Sequence, residues 1–289
     1  MRTRIRLFGQ IPSFLWGIRR ERLWLKKFES TRKVSLVISD NRYGFYSSTA
    51  PSVLITHQLN IRSGFGKAID RLMNYLNLRL MKHFFECWVP DFLQAPGLSG
   101  DLGHPRRIPD IPVRYIGCLS RFTPCEQQKN EHILIVLSGP EPQRSIFEQL
   151  LLDQLSGITE KLFFVRGVDI SSPLPDVPSH VTLMNFASSA QLNDLVCRAR
   201  FVVARCGYTT VMDLFKTKQK GILIPTPGQP EQEYLARHLH ASRLAYTVDQ
   251  KKFNLYESIN AASDFDYRIF EGNMNEYKNV IDAFAERIL

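Results

Sequence analysis

The segment from Arg205 to Asp213 combines residue types that can bind a phosphorylated ligand. It follows the apolar run Phe201–Ala204, which is typical of a buried parallel strand. Gly207 can adopt a positive φ, so we expect the chain to turn there. The helix expected after the turn carries Thr209 and Thr210 in its first turn, where unbonded backbone N–H groups bind anions. The sequence therefore predicts an anion site at the amino end of this helix.

A second strand-to-helix switch follows in the same part of the chain. The apolar run Gly221–Pro225 has the composition of another buried strand, and Pro230 lies where a helix would begin, a position that tolerates proline. Neighbouring parallel strands end at the same edge of a sheet. We therefore expect two helix amino termini, at Gly207 and Pro230, to open onto one cleft.

Apolar runs and helical patterns alternate along most of the chain, and the polar candidate residues fall where the apolar runs end. This alternation predicts an α/β fold of two Rossmann-like domains facing a cleft. We expect a first domain in residues 1–122 and a second in residues 132–289, with the polar segment 121–131 as the hinge. The predicted strands cover residues 34–39, 52–56, 87–90, 113–117, 132–137, 162–166, 181–184, 201–204 and 221–225.

At these residues the sequence resembles the family 28 glycosyltransferases, which have the GT-B fold. The best-known member of that family is the bacterial transferase that adds N-acetylglucosamine from a UDP-sugar to the lipid-linked peptidoglycan precursor. Arg205, Gly207, Thr209 or Thr210, and Asp213 match the family's Arg, small-residue turn, Thr and acidic residue. Pro225–Tyr234 matches its Pro-to-Tyr spacing in the second loop.

The resemblance implies a role for each matched residue in binding a nucleotide sugar. Asp213 would accept hydrogen bonds from the ribose hydroxyls, and Thr209 and Thr210 would hold the diphosphate with the helix amino terminus. Phe186 falls beside the backbone that holds the uracil. The resemblance also implies that the loop with Ser138 and Gly139 helps to hold the phosphates. It implies that Gln232 and Glu233 contact the sugar hydroxyls, with Gln229 and Glu231 as the alternative residues for that contact.

Arg144 and Arg205 are expected to offset the charge of the diphosphate. For Arg144 a second interpretation is equally open, namely an ion pair with a carboxylate on its own helix. Because these cations and the helix termini can carry the charge, we expect no metal ion and no cofactor besides the nucleotide sugar.

On the acceptor side, the stretch from Thr56 to Asn60 resembles the family's His…Asn segment. His57 is the candidate catalytic base, since a neutral imidazole at the end of a strand can accept a proton near neutral pH. A structural role for this histidine is the alternative. Family members begin with a strand and a glycine-rich loop that this sequence does not show, so we expect the first domain to be incomplete.

The function expected from the resemblance is transfer of a hexose or N-acetylhexosamine from a UDP-sugar to an acceptor hydroxyl. The reaction would invert the anomeric carbon and need no metal. The acceptor would be a glycan, a lipid or a small molecule. Two alternatives remain open, a sugar-nucleotide epimerase of the same architecture and a catalytically inactive nucleotide-sugar-binding protein.

The net charge of +9 is concentrated in residues 1–33, which hold ten Lys or Arg residues against Glu21 and Glu29. A basic terminal helix suits an anionic membrane surface better than nucleic acid, and no nucleic-acid motif accompanies it. The alternative, which we favour, is that the helix packs on its own sheet with a solvated basic side. The apolar face available for either role comprises Ile11, Phe14, Ile18, Leu25 and Phe28, with Trp16 and Trp24 beside it.

The cysteines and the apolar runs indicate a cytoplasmic protein. The five cysteines show no metal-ligand spacing, so we expect reduced, mostly buried thiols at Cys87, Cys118, Cys125, Cys197 and Cys206. No apolar run approaches the ~18 residues of a membrane span. The start of the sequence lacks the apolar stretch and cleavage site of a secretory signal. A peripheral position at the inner face of the membrane is open if the terminal helix binds lipid.

Overall fold

The computed structural model describes residues 11–126, 130–268 and 272–288. The chain divides into two compact units, of which the first comprises Met1–Cys118 with Gly272–Leu289 and the second Leu119–Glu271. Each unit has its own parallel sheet, so the predicted α/β fold is confirmed.

Within the described residues, the first unit is built on four parallel strands in the order β1-β2-β3-β4. Strands β2 and β3 are almost wholly buried, as expected for short apolar runs in a parallel sheet. The strands are β1 Val37–Asp40, β2 Ser52–Ile55, β3 Glu86–Val89 and β4 Val113–Tyr115, and the helices before β1 and β3 are α1 Ile11–Glu29 and α2 Lys67–Met81.

Helix α1 packs on its own unit through part of its predicted apolar face. Leu25 is 3% exposed, and Ile18 packs against the core around Tyr43. Arg22 lies over the ring of Tyr46, with the guanidinium 4.2 Å from its centroid. One side of α1 therefore packs on its own unit, as the favoured alternative predicts. Several large apolar side chains remain exposed, namely Phe14, Leu15, Trp16, Leu23 and Trp24.

The second unit carries six parallel strands in the order β10-β9-β8-β5-β6-β7 within its described part. Helices follow β5, β7, β8, β9 and β10, which is the alternation that the sequence predicts. The strands are β5 His132–Val136, β6 Leu162–Val165, β7 Val181–Met184, β8 Ala199–Arg205, β9 Gly221–Ile224 and β10 Tyr246–Thr247, and the helices are α3 Gln143–Leu152, α4 Ser189–Arg198, α5 Tyr208–Thr217, α6 Pro230–Ala241 and α7 Leu255–Asp264.

The register of the sheet aligns the carboxyl ends of its central strands. Val136 pairs with Ala204, and Arg205 pairs with Ile224. The loops after β5, β8 and β9 therefore leave the sheet at the same edge, as the candidate residues require. The core beneath them is apolar and buried, with Phe147, Phe164, Val203 and Ile224 each 0% exposed.

The last helix, α8 Glu276–Ile288, returns to the first unit, although sequence order predicted it for the second domain. Phe284 packs edge-on against Trp88, with ring centroids 5.4 Å apart. Arg287 Nη2 donates to the fully buried carboxylate of Glu86 over 2.9 Å. These contacts fix α8 to β3.

Two of the five cysteines form a disulfide, so the prediction of reduced thiols is wrong for Cys125 and Cys197. Asn193 explains their meeting, because its side chain bonds Thr123 and lies one helical turn before Cys197. The other three cysteines, Cys87, Cys118 and Cys206, are free and buried as predicted. Of the helices in the described ranges, none has the length and hydropathy needed to cross a bilayer.

Candidate functional site

A cavity of 440 Å³ opens in the second unit beside the end of β5 and the start of α5. Its volume lies within the range of sites for small ligands. Six of the predicted donor-binding residues line it, which are Ser138, Phe186, Gly207, Thr209, Thr210 and Asp213. The apolar part of its wall includes Val136, Val165, Ala187, Leu192, Val196 and Leu214.

The amino end of α5 faces this cavity. Gly207 is the residue before the helix, and because glycine has no side chain it supplies no cap of its own. Its φ is −85° and its ψ 146°, so the turn uses an extended backbone and not the positive φ that glycine permits. A Cβ added at Gly207 would meet no described heavy atom within 4 Å. Glycine thus leaves open space in front of amides that favour an anion.

Asp213 lies in the second turn of the same helix and also lines the cavity. Ser120 Oγ donates to Asp213 Oδ1 over 2.5 Å. Burial raises the pKa of Asp213 above its ordinary value, while the Ser120 hydrogen bond and the charge of Arg121 act in the opposite direction. A carboxylate in this position can accept hydrogen bonds from ligand hydroxyls.

The segment Ser120–Phe122 lies against the cavity, although the polar composition from residue 121 onward predicts a hinge. Arg121 and Phe122 line the cavity, and Phe122 is 5% exposed. Thr123 N donates to Asn193 Oδ1 over 2.9 Å, which ties the segment to α4. Sequence reasoning missed these residues because their partners lie far along the chain. The local signal was a hydroxyl and a guanidinium three and four residues after the predicted strand 113–117.

Phe186 offers an exposed aromatic face at the cavity, with 59% of its surface accessible. The neighbouring Asn185 is buried and fixes the loop after β6, since its Nδ2 donates to Ile170 O over 3.1 Å. Arg166 Nη1 in turn donates to Asn185 Oδ1 over 2.8 Å. The ring therefore stands on a rigidly bonded backbone.

Arg144 is held by carboxylates and does not line the cavity. Its Nε donates to Glu141 Oε1 over 2.7 Å and its Nη1 to Glu148 Oε2 over 3.1 Å. Glu148 also accepts from Arg166 over 2.5 Å. Of the two interpretations left open by the sequence, pairing on its own helix is the one that the geometry matches.

Arg205 is also absent from the cavity wall, for a different reason. Its side chain is 2% exposed and points beneath the loops. Nη2 donates to Gln143 O over 2.9 Å and Nη1 to Pro225 O over 3.5 Å. The guanidinium stacks over Phe147, 4.2 Å from the ring centroid.

In the loop after β9, the side chains predicted to contact the sugar form hydrogen bonds within the loop. Gln232 Oε1 accepts from Thr226 N over 2.9 Å, and its Nε2 donates to Gln229 Oε1 over 2.7 Å. Glu233 Oε1 accepts from Gly228 N over 2.9 Å. Burial and the charge of the nearby Glu231 together raise the pKa of the Cys206 thiol to about 12. The two loops are therefore neighbours, but these four side chains do not line the cavity.

The loop after β5, predicted to hold phosphate, contributes Ser138, which is exposed at the cavity. Gly139 follows with a φ of +104°, a backbone conformation suited to glycine. The acceptor-side candidates lie in the first unit. His57 follows the carboxyl end of β2, and Asn60 N donates to Leu102 O over 2.9 Å.

No group of three or more His, Cys, Asp or Glu residues suited to a metal ion occurs in the described ranges. The sequence contains one Asp-x-Asp pair, Asp264 and Asp266. Asp266 is bonded to Arg243, and neither aspartate lines the cavity.

Residues 143–285 match the glycosyltransferase family 28 C-terminal domain. This region holds β6 to β10 and most of the cavity wall. Among curated proteins, none matches the sequence.

Solved structures share the fold of the chain at low sequence identity. The kitacinnamycin glycosyltransferase has a TM-score of 0.65 at 13% identity, covering 97% of this chain and 82% of its own. The spinosyn rhamnosyltransferase SpnG, solved with thymidine diphosphate, has a TM-score of 0.61 at 12% identity, with 99% and 82% covered. Phytolacca americana UGT2, solved with UDP-2-fluoro-glucose and pterostilbene, has a TM-score of 0.58 at 13% identity, with 92% and 79% covered. The chain has the GT-B fold of these glycosyltransferases.

Proposed function

We propose that this protein binds a nucleoside diphosphate sugar in the cavity of its second unit and transfers the sugar to an acceptor hydroxyl. The observation that carries the proposal is the joint placement of Phe186, the amino end of α5 and Asp213 around one cavity. A base, a diphosphate and a ribose need these three kinds of contact, namely an aromatic face, the amino end of a helix and a carboxylate.

The matched family domain and the named neighbours support the ligand class. SpnG was solved with thymidine diphosphate and UGT2 with a UDP-sugar. We propose UDP as the nucleotide of this chain, since the residues that match family 28 are those of its UDP-sugar site. Arg121, which lines the cavity and lowers the pKa of Asp213, adds positive charge at the same place.

In the proposed reaction the acceptor oxygen attacks the anomeric carbon from the face opposite the diphosphate. The bond between that carbon and the diphosphate oxygen breaks, and the acceptor proton passes to a base, for which His57 is our candidate. The product sugar has the inverted configuration. Backbone amides at the start of α5 stabilise the leaving diphosphate by donating hydrogen bonds where negative charge develops.

Titration calorimetry with UDP, thymidine diphosphate and uridine tests the binding step. We expect UDP to bind more tightly than uridine, because the diphosphate adds contacts with the amides of α5. Absence of binding by both nucleoside diphosphates would contradict the proposed function. Incubation with UDP-hexoses and a panel of hydroxyl acceptors, followed by NMR of the product, then tests transfer and the configuration of the new bond.

A further inference from the structure

Arg205 differs in its partners from the buried Arg144 and the half-buried Arg166 of the same unit. Arg144 and Arg166 each donate to the carboxylate of Glu148. Arg205 donates to the backbone carbonyls of Gln143 and Pro225 and lies over an aromatic ring. Among the described residues, no carboxylate bonds its guanidinium.

A buried guanidinium without a counter-charge is energetically costly, because carbonyl dipoles replace only part of its hydration. Burial alone lowers the pKa of Arg205, to about 10. The side chain is therefore still positively charged at neutral pH. Its field is weakly screened, since water does not reach it.

The position of this charge relates it to the candidate anion site. Arg205 ends β8, and Gly207, which precedes α5, lines the cavity two residues later. Arg205 donates to the carbonyl oxygen of Gln143, which is the first residue of α3. The loop between β5 and α3 contains Ser138, which lines the cavity. The guanidinium thus lies behind two loops that border the proposed diphosphate position.

We propose that Arg205 is the internal counter-charge of the ligand's diphosphate, acting through its field without touching the ligand. The inference rests on the proposed function, because it takes the ligand to be a nucleoside diphosphate. Unit charges about 10 Å apart at an effective dielectric constant of ~20 attract strongly enough for a change in affinity of about tenfold. A diphosphate carries more than one charge, and the additional charge strengthens this attraction.

Three ligands separate this role from a structural one, namely UDP, uridine and inorganic pyrophosphate. In Arg205→Gln, a neutral side chain that keeps an N–H donor for Gln143 O, we expect UDP and pyrophosphate affinity to fall about tenfold or more. Uridine affinity should change less than about threefold, since uridine carries no phosphate. Arg205→Lys keeps the charge and should restore most of the loss. Arg205→Met serves where the Gln variant does not fold, as judged by circular dichroism.

Arg200 provides the matched control at the amino end of the same strand. It too lies beside an aromatic ring, that of Phe201 at 5.2 Å, but it pairs with Glu160. Arg200→Met removes the same charge far from the cavity and should leave all three affinities within about twofold, because the field falls with distance.

The outcomes distinguish the inference from the proposed function. A neutral Arg205 variant that loses UDP and uridine affinity equally, or loses neither, overturns the inference while the proposed function stands. Wild-type protein that binds pyrophosphate in an Arg205-dependent way but not UDP overturns the nucleotide proposal and supports the counter-charge. Binding of neither ligand by the wild type overturns both.

Discussion

Ser120 and Asp213 are hydrogen-bonded although 93 residues separate them in sequence. The bond joins the segment where the second unit begins to the helix that carries the candidate ribose-binding carboxylate. It leaves Asp213 Oδ2 as the oxygen that a ribose hydroxyl can reach while Ser120 still occupies Oδ1. This arrangement makes Asp213 the first residue to test.

Replacing Asp213 with Ala should weaken UDP binding by about 1.5–3 kcal/mol, because one charge-assisted hydrogen bond is lost. Titration calorimetry measures the change directly. Asp194→Ala is the control, since Asp194 is exposed on α4 and contacts Arg198. Equal UDP affinity in the wild type and the Asp213 variant would refute the ribose assignment.

The affinity for UDP should fall as the pH is lowered through the raised pKa of Asp213. The ionised carboxylate is the form that accepts hydrogen bonds from ribose, and protonation removes it. Since the Ser120 hydrogen bond lowers this pKa, Ser120→Ala should shift the fall in affinity to higher pH. Calorimetry of both proteins between about pH 4 and pH 7 tests this. An unchanged pH profile in Ser120→Ala would contradict it.

The same group has the opposite effect on stability without ligand. A carboxyl whose pKa is raised on folding stabilises the fold at low pH, and that contribution is lost as the pH rises through the folded pKa. The loss of UDP affinity on acidification is therefore not a consequence of unfolding at Asp213.

Phe186→Ala should weaken the binding of UDP and of uridine by the same amount, about 1–3 kcal/mol, because the lost contact is with the base. Pyrophosphate binding should not change. Tyr256→Ala is the matched control, since Tyr256 is also 59% exposed in the second unit and does not line the cavity. A loss confined to UDP would move the aromatic contact from the base to the phosphate end of the ligand.

Reduction of the Cys125–Cys197 disulfide should lower the free energy of unfolding by about 4 kcal/mol, the value that loop closure gives for a bridge spanning 72 residues. It should also weaken UDP binding, because the bridge holds the segment that carries Arg121 and Phe122 against the cavity. Denaturant unfolding with and without dithiothreitol measures the first effect. In Cys125→Ser the reductant should have no effect, and a reductant effect that persists there would exclude the bridge as its cause.

The elements of the central sheet could be predicted because their apolar runs are continuous. The strand 181–184 was predicted with the bounds that the structure shows, and Thr209 and Thr210 lie in the first turn of α5 as predicted. Parallel strands buried on both faces leave a strong local signal. Six of the candidate donor residues line one cavity for the same reason, since strand register decides where the loops leave.

Partners distant in sequence could not be predicted. No residue near Arg144 in the sequence shows whether its side chain binds a phosphate or pairs with Glu148. Both roles need a cation on a helix. Gln232 and Glu233 matched a sugar-reading pattern, yet the nearest acceptors and donors are in their own loop. The place of Arg287 depends on Glu86, 201 residues earlier in the chain.

The return of α8 to the first unit makes the second unit an insertion, entered at Leu119 and left at Glu271. A fragment that stops at residue 118 would uncover the Trp88 ring and leave the buried Glu86 carboxylate without the Arg287 cation. Cutting the gene at the junction suggested by sequence order therefore separates α8 from the unit on which it packs. A variant that keeps the first unit intact deletes residues 119–271 and joins residue 118 to residue 272. It retains both segments of the chain that form this unit.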